Sequence, residues 1–190
     1  MPRKPSFDRT DLIARARHLF WKQGWAGTSL KDLEAELKLK PGSFYAAFGS
    51  KDALFGLALD TYAEDGARRL EALTEAEGPL GALKRYPVLI LEEGNAPARA
   101  CMLAKTLIEL HQRDHPLAAR ADAHLRGMEA RFTELFRQAQ AAEIIAAEHD
   151  PVALAQKYQS DLMGLRVSAE RMGPKAMGIA RQIGEGLDRL

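Results

Sequence analysis

A single cysteine, Cys101, stands among 190 residues, which excludes an intrachain disulfide and fits a reducing interior. Long hydrophobic runs are missing too. The aliphatic stretch Val88-Leu89-Ile90-Leu91 is as long as any, far short of the roughly 20 residues that cross a bilayer. Met1-Pro2-Arg3-Lys4-Pro5 leads into a helix pattern without the apolar region of a secretion signal. A soluble, cytoplasmic chain is expected. Strand-period alternation holds up nowhere, and Leu and Ala dominate over Val, Ile and Thr, so sheets are disfavoured. Catalytic patterns are equally scarce: no Gly-rich phosphate loop, nucleophile elbow or paired-carboxylate signature appears. His111 and His115 have the i, i+4 spacing of a metal pair, but no Glu follows the first His and no further ligand set is apparent. No enzyme, cofactor or metal centre is therefore expected.

What is present is a globular balance, 46% hydrophobic and 28% charged. The net charge of +1 is uninformative, but its distribution is not. Residues 1–51 hold ten Lys/Arg and five Asp/Glu, a net of +5; residues 52–190 hold seventeen and twenty-one, a net of −4. A basic N-terminal third on a mildly acidic body suits an end that meets nucleic acid, although a chance fluctuation of surface charge would look the same.

Helical spacing recurs almost end to end, and about nine helices with short connections are expected, an all-α fold. The first runs from Asp8 or Thr10 to Gly24, with Leu12, Ile13, Ala16, Leu19 and Phe20 as its apolar stripe. Ser29, with Asp32 three residues on, opens a second through a capping box, and Leu30, Leu33 and Leu37 give it a buried side. After Lys38-Leu39-Lys40, Pro41 starts a third, ending near Ala47. Ser50 caps a fourth running to about Ala76. Gly78-Pro79, Gly94-Asn95-Ala96-Pro97, Asp114-His115-Pro116, His149-Asp150-Pro151 and Gly173-Pro174 mark later boundaries.

Residues 28–48 have the mechanics of a helix-turn-helix. Phe44 and Phe48, four apart, share a face that anchors the third helix, leaving Ser43, Tyr45 and Ala46 on the opposite side. Small side chains there suit base edges, and a tyrosine hydroxyl suits phosphate. Lys51 lies at the start of the fourth helix, where unpaired N–H groups already favour an anion. Three ordinary packed helices with a solvated basic face remain the plainer reading.

The strings Gly27-Thr28-Ser29-Leu30-Lys31-Asp32-Leu33 and Gly42-Ser43-Phe44-Tyr45-Ala46-Ala47-Phe48-Gly49-Ser50-Lys51-Asp52-Ala53-Leu54-Phe55 resemble the N-terminal domain of the TetR family of transcriptional regulators, a match covering roughly residues 8–62. The resemblance implies a DNA-binding head over residues 1–50, a ligand-binding and dimerisation body over 51–190 connected by the fourth helix, and a homodimer on double-stranded operator DNA. It implies DNA contacts from Thr28, Ser29, Lys40, Gly42, Ser43, Tyr45 and Lys51, and a repressor released by a small-molecule effector. Two departures stand out: Lys38 replaces a frequent turn glycine and Lys40 a frequent serine cap.

For the body, two seams suggest helix packing. Ala155, Tyr158, Leu162, Leu165, Ala169 and Met172 recur at spacings of 3 and 4, as do Ala176, Ala180, Ile183, Leu187 and Leu190. Spacing leaves open whether they face a partner or the chain's own core. The resemblance implies the former, with Tyr158, Leu162, Leu165, Ala169, Ala176, Ala180, Ile183 and Leu187 at a dimer interface. Gly178, Gly184 and Gly186 in the last helix suggest close approach of another backbone. Tyr62, Cys101, Met102, Thr106, His111, Met128, Phe132 and Phe136 are candidates to line an apolar effector cavity. Lys105, one turn past Cys101, would lower the thiol pKa if both faced that cavity; a small buried hydrophobe is the alternative. A helical enzyme or a protein-interaction adaptor are the other classes open, separated from a regulator by whether the basic head binds DNA.

Overall fold

The computed structural model describes residues 8–92 and 96–190, all of it helix and loop. The basic Arg3-Lys4 pair and the expected boundary at Gly94-Asn95 lie outside the described residues. The α-helices are α1 (Arg9–Gln23), α2 (Leu30–Leu37), α3 (Pro41–Phe48), α4 (Lys51–Leu89), α5 (Met102–Leu110), α6 (Pro116–Ala141), α7 (Pro151–Met172) and α8 (Met177–Gly186). The backbone of α4 breaks at Gly78 (φ 73°, ψ 176°), so α4 is two arms, and short 3-10 turns at His111–Arg113, Gly173–Ala176 and Leu187–Arg189 complete the described helices.

Each start follows from local chemistry. Asp8 caps α1 by accepting from the Thr10 amide at 2.9 Å. The Ser29 hydroxyl accepts from the Asp32 amide while the Asp32 carboxylate accepts from the Ser29 amide, completing the expected box. Ser50 Oγ accepts from the Ala53 amide at the head of α4. Prolines 41, 116 and 151 sit in the first turns of α3, α6 and α7, where a missing N–H costs nothing.

Helices α4 and α6 pack along each other, α7 lies on α6, and α8 lies on the second arm of α4. Asp60 fastens α4 to α6, accepting from Arg120 and bonding to His124 at 2.8 Å. Burial pushes the Asp60 carboxyl up, but the hydrogen bonds from Arg120 and His124 outweigh it and hold the group below its ordinary value. Two apolar cores result. One joins α1–α3 and the start of α4 to α5 and the start of α6, through Phe20, Leu33, Leu37, Phe44 and Phe55. The other lies among the second arm of α4, the end of α6, α7 and α8. Packing is therefore continuous across residue 50.

The seam residues Tyr158, Leu162, Leu165, Ala169, Ala176 and Ala180 belong to the second core and are buried within one protomer. Their periodicity marks the inward faces of α7 and α8, which cover α6 and the second arm of α4. Tyr158 confirms this direction, its hydroxyl donating to the Leu83 carbonyl at 2.6 Å. Ile183 and Leu187 remain half-buried. The backbone that Gly184 approaches is also the chain's own. A Cβ there would lie 2.4 Å from the Lys84 carbonyl oxygen.

Gly184→Ala is expected to destabilise the fold by about 1–3 kcal/mol, because neither backbone can yield cheaply. Gly178→Ala, whose Cβ meets nothing within 4 Å, should instead stabilise by up to about 1 kcal/mol through helix propensity. Urea unfolding of the two variants side by side checks the opposite signs.

Candidate nucleic-acid interface and effector cavity

Helix α3 is eight residues long and stands on two aromatic anchors. Phe44 and Phe48 are buried with ring centroids 5.8 Å apart, and Arg9 lies over the Phe48 ring at 5.7 Å. With those rings turned inward, Gly42, Ser43, Tyr45, Ala46 and Ala47 all face solvent, Tyr45 being 49% exposed. A short, exposed helix presenting small side chains and one phenol is the shape that enters a major groove.

The remaining head residues divide. Lys40 is exposed at the N-cap of α3 and makes no capping bond, so its ammonium points to solvent beside the exposed helix start. Ser29 is exposed at the start of α2, its hydroxyl held 2.6 Å from Asp32. Thr28 is fully buried, and its hydroxyl donates to the Gly24 carbonyl at 2.7 Å. Its side chain shapes the loop between α1 and α2 rather than the exposed face. Lys51 is likewise turned inward: Nζ donates to the Trp25 and Thr28 carbonyls at 2.9 and 3.0 Å and lies 4.0 Å from the Trp25 ring centroid. Two of its three N–H donors hold that loop, leaving one for any phosphate. Lys38 ends α2 in the left-handed region (φ 55°, ψ 39°), the conformation for which glycine is usual at a turn.

Residues 24–28 are also gripped from the body. Glu109 on α5 accepts from the Trp25 and Ala26 amides at 3.0 and 2.7 Å. Lys105, one turn earlier, donates to the Trp21 carbonyl at 2.7 Å, at the negative end of α1. The Trp21 indole N–H donates to the Ala100 carbonyl at 2.7 Å, and its ring meets Tyr62 edge-on at 5.0 Å. Lys105 is thus committed to α1 rather than to Cys101, against the expectation of a lysine-activated thiolate. The His115 ring lies tilted against Trp25 with centroids 4.7 Å apart, whereas His111 is exposed.

Tyr62 and Cys101 open on their other side onto a cavity of about 80 Å³ between α4, α6 and α7. Met128 and Phe132 also line it, so four of the eight candidate residues come together. The other four, Met102, Thr106, His111 and Phe136, do not line it. Met102 and Thr106 are buried on α5, with the Thr106 hydroxyl on the Met102 carbonyl, and Phe136 lies in the second core against Tyr158. Sequence reasoning missed Tyr86, Gln159 and Arg166, which the cavity also contains. A buried Arg and Gln one helical step from the α7 seam were the available signal. Burial raises the Tyr62 phenol above its ordinary value, and the adjacent Cys101 acts in the same direction.

An exposed recognition helix on a three-helix head, fused to a helical body with an internal cavity, defines a helix-turn-helix regulator. Residues 12–58 match the family model "Bacterial regulatory proteins, tetR family", and residues 82–182 match "Tetracyclin repressor-like, C-terminal domain". The chain belongs to the TetR family of transcriptional regulators. It is 31% identical to the transcriptional regulator AcuR of Cereibacter sphaeroides, over 80% of this chain and 72% of that one. To the HTH-type transcriptional repressor ComR of Escherichia coli it is 28% identical, over 86% and 80%. Among solved structures, a cysteine mutant of the TetR family regulator CifR complexed with 26-base-pair operator DNA superposes with a TM-score of 0.82 at 27% identity, covering 96% of this chain and 98% of that one.

Lys38→Gly should raise stability by about 0.5–1 kcal/mol by relieving the left-handed strain, offset in part by the looser unfolded chain. The midpoint and slope of a denaturant titration measure it; an unchanged or lowered midpoint would show that Lys38 is not strained.

Proposed function

We propose that this chain is a cytoplasmic repressor, a regulator rather than an enzyme, which binds operator DNA as a homodimer and lets go when a small effector fills the cavity beside Tyr62 and Cys101. The observation that carries the reading is the exposed face of α3, with Ser43, Tyr45 and Ala46 outward and Phe44 and Phe48 anchoring it. The operator-bound CifR structure supports it, being similar over nearly the whole chain. Gly42 admits the DNA backbone closely, Ser43 and Ala46 meet base edges, and Tyr45 and Lys40 take phosphates. Ser29 adds a phosphate contact at the positive end of α2. Thr28 and Lys51 hold the loop between α1 and α2, and with it the entry to α2.

The effector acts through neighbours already in contact. A ligand against Tyr62 bears on Trp21, and movement at Cys101 carries Ala100, Lys105 and Glu109 with it. Because these groups hold the end of α1, the head turns with α5, and two heads re-spaced in a dimer no longer fit successive major grooves. The ligand must bind the released arrangement more tightly than the DNA-bound one, since differential affinity is all that shifts the balance.

One head reads only a few base pairs, so two are required. The outward sides of α7 and α8 are the pairing surface this reading favours. Val167 is 63% exposed, and Ile179, Ile183 and Leu187 border an open groove between the two helices.

Gel shifts on DNA upstream of the chain's own gene should show binding that weakens steeply as salt rises. Tyr45→Ala should cost about tenfold or more. Lys40→Ser should gain a helix cap yet lower the salt slope by about 0.9 for each head that loses a phosphate contact. Binding indifferent to salt would contradict the interface. Val167→Glu should give a folded monomer by light scattering, with operator affinity lost; a dimer that persists in this variant and in Ile183→Glu would move the interface elsewhere.

A further inference from the structure

The cavity wall carries one polar group that the protein itself does not satisfy. Gln159, on α7 and only 9% exposed, lines the cavity, and its Oε1 is covered and accepts no hydrogen bond among the described residues. Leaving an amide oxygen unpaired in an apolar site is costly, and such groups in folded proteins ordinarily meet a donor. Around it stand Tyr62, Tyr86, Met128, Phe132 and Leu162, a wall of rings and aliphatic chains. The cavity of about 80 Å³ is only partly enclosed, so a body the size of a single ring can seat in it with one edge toward solvent.

We propose that the cavity binds a small, mostly apolar molecule of single-ring size that carries one hydrogen-bond donor, a hydroxyl or amine N–H, and that this group donates to Gln159 Oε1. The inference names the chemical class of the effector and so rests on the regulatory reading above. The apolar body displaces water from the rings, which favours any hydrophobe of the right size. The donor is what selects, because a hydrocarbon of the same shape leaves the carboxamide oxygen unpaired. Oε1 is covered where it now lies, so a rotation of the carboxamide brings it to the ligand's donor. Arg166, buried on the same helix, also lines the cavity and donates to the Arg99 carbonyl at 3.2 Å. An anionic ring drawn to its charge is the alternative, and the test separates that case.

Phenol, toluene and benzoate are the probes, titrated calorimetrically into the full-length protein without DNA. Phenol should bind in preference to toluene, and Gln159→Met, which removes the acceptor at similar volume, should reduce that preference about tenfold. The side-chain amide resonances of Gln159 in the parent protein should move further with phenol than with toluene at saturation, a readout that does not depend on the variant folding. An unchanged phenol-to-toluene ratio in Gln159→Met, or benzoate alone binding, would overturn the proposal, the second in favour of an anion on Arg166. Operator release is measured separately. Phenol that binds with the stated preference but leaves DNA affinity unchanged upholds the ligand chemistry and removes the effector reading.

Discussion

The grip of α5 on the end of α1 is the constraint from which the rest of the molecule takes its arrangement. An α-helix leaves its last carbonyls without partners, and the tight loop that follows exposes amides of its own. Here both sets are met by charges from another part of the chain. Lys105 takes the Trp21 carbonyl, Glu109 takes the Trp25 and Ala26 amides, and Lys51 takes the Trp25 and Thr28 carbonyls. Gly24 fits this arrangement twice over. Its φ of 80° is open to glycine, and a Cβ there would sit 2.8 Å from a Glu109 carboxylate oxygen. The loop is thus held by groups 83 and 84 residues away, and α2, which follows it, starts from that fixed point.

The same constraint explains the division of the core. The apolar cluster under the head does not end at the head but runs on through Met102, Leu110, Leu117 and Ala121. The second cluster, around Phe132, Phe136 and Tyr158, belongs to the far end of the body. Tyr62 and Cys101 belong to the first and Tyr86 and Phe132 to the second, so the cavity lies where the two clusters meet. A void placed between two packed bodies is where a ligand can change their relation at least cost in packing, since neither interior must be rebuilt.

Much of this was legible in the chain itself. Asp8, Ser29 with Asp32, Ser50, and the prolines at 41, 116 and 151 signal helix starts through local hydrogen bonding, which needs no tertiary knowledge, and they stand where expected. The four-residue spacing of Phe44 and Phe48 likewise oriented α3. Less was legible wherever two surfaces compete for one helix. The α7 seam had the period of a packing face but carried no sign of what it packs on, and its own core claimed it. Thr28 and Lys51 are polar residues in a DNA-reading segment, and only distances reveal that their polar atoms are spent on the loop backbone. The cavity was half legible because Tyr62, Cys101, Met128 and Phe132 come from three separate helices, and spacing within one helix says nothing of convergence between them.

The joint between head and body has one more property, which is optical. The chain has two tryptophans, and both sit there. Trp21 is nearly buried, with its indole N–H on the Ala100 carbonyl. Trp25 is flanked by the Lys51 ammonium and the His115 ring, and its indole N–H is on Asp52. A cation, an imidazole and a carboxylate each alter indole emission strongly, and all three reach Trp25 from α4 and the start of α6. The protein therefore carries its own fluorescent gauge at the hinge, with no other tryptophan in the body to dilute the signal.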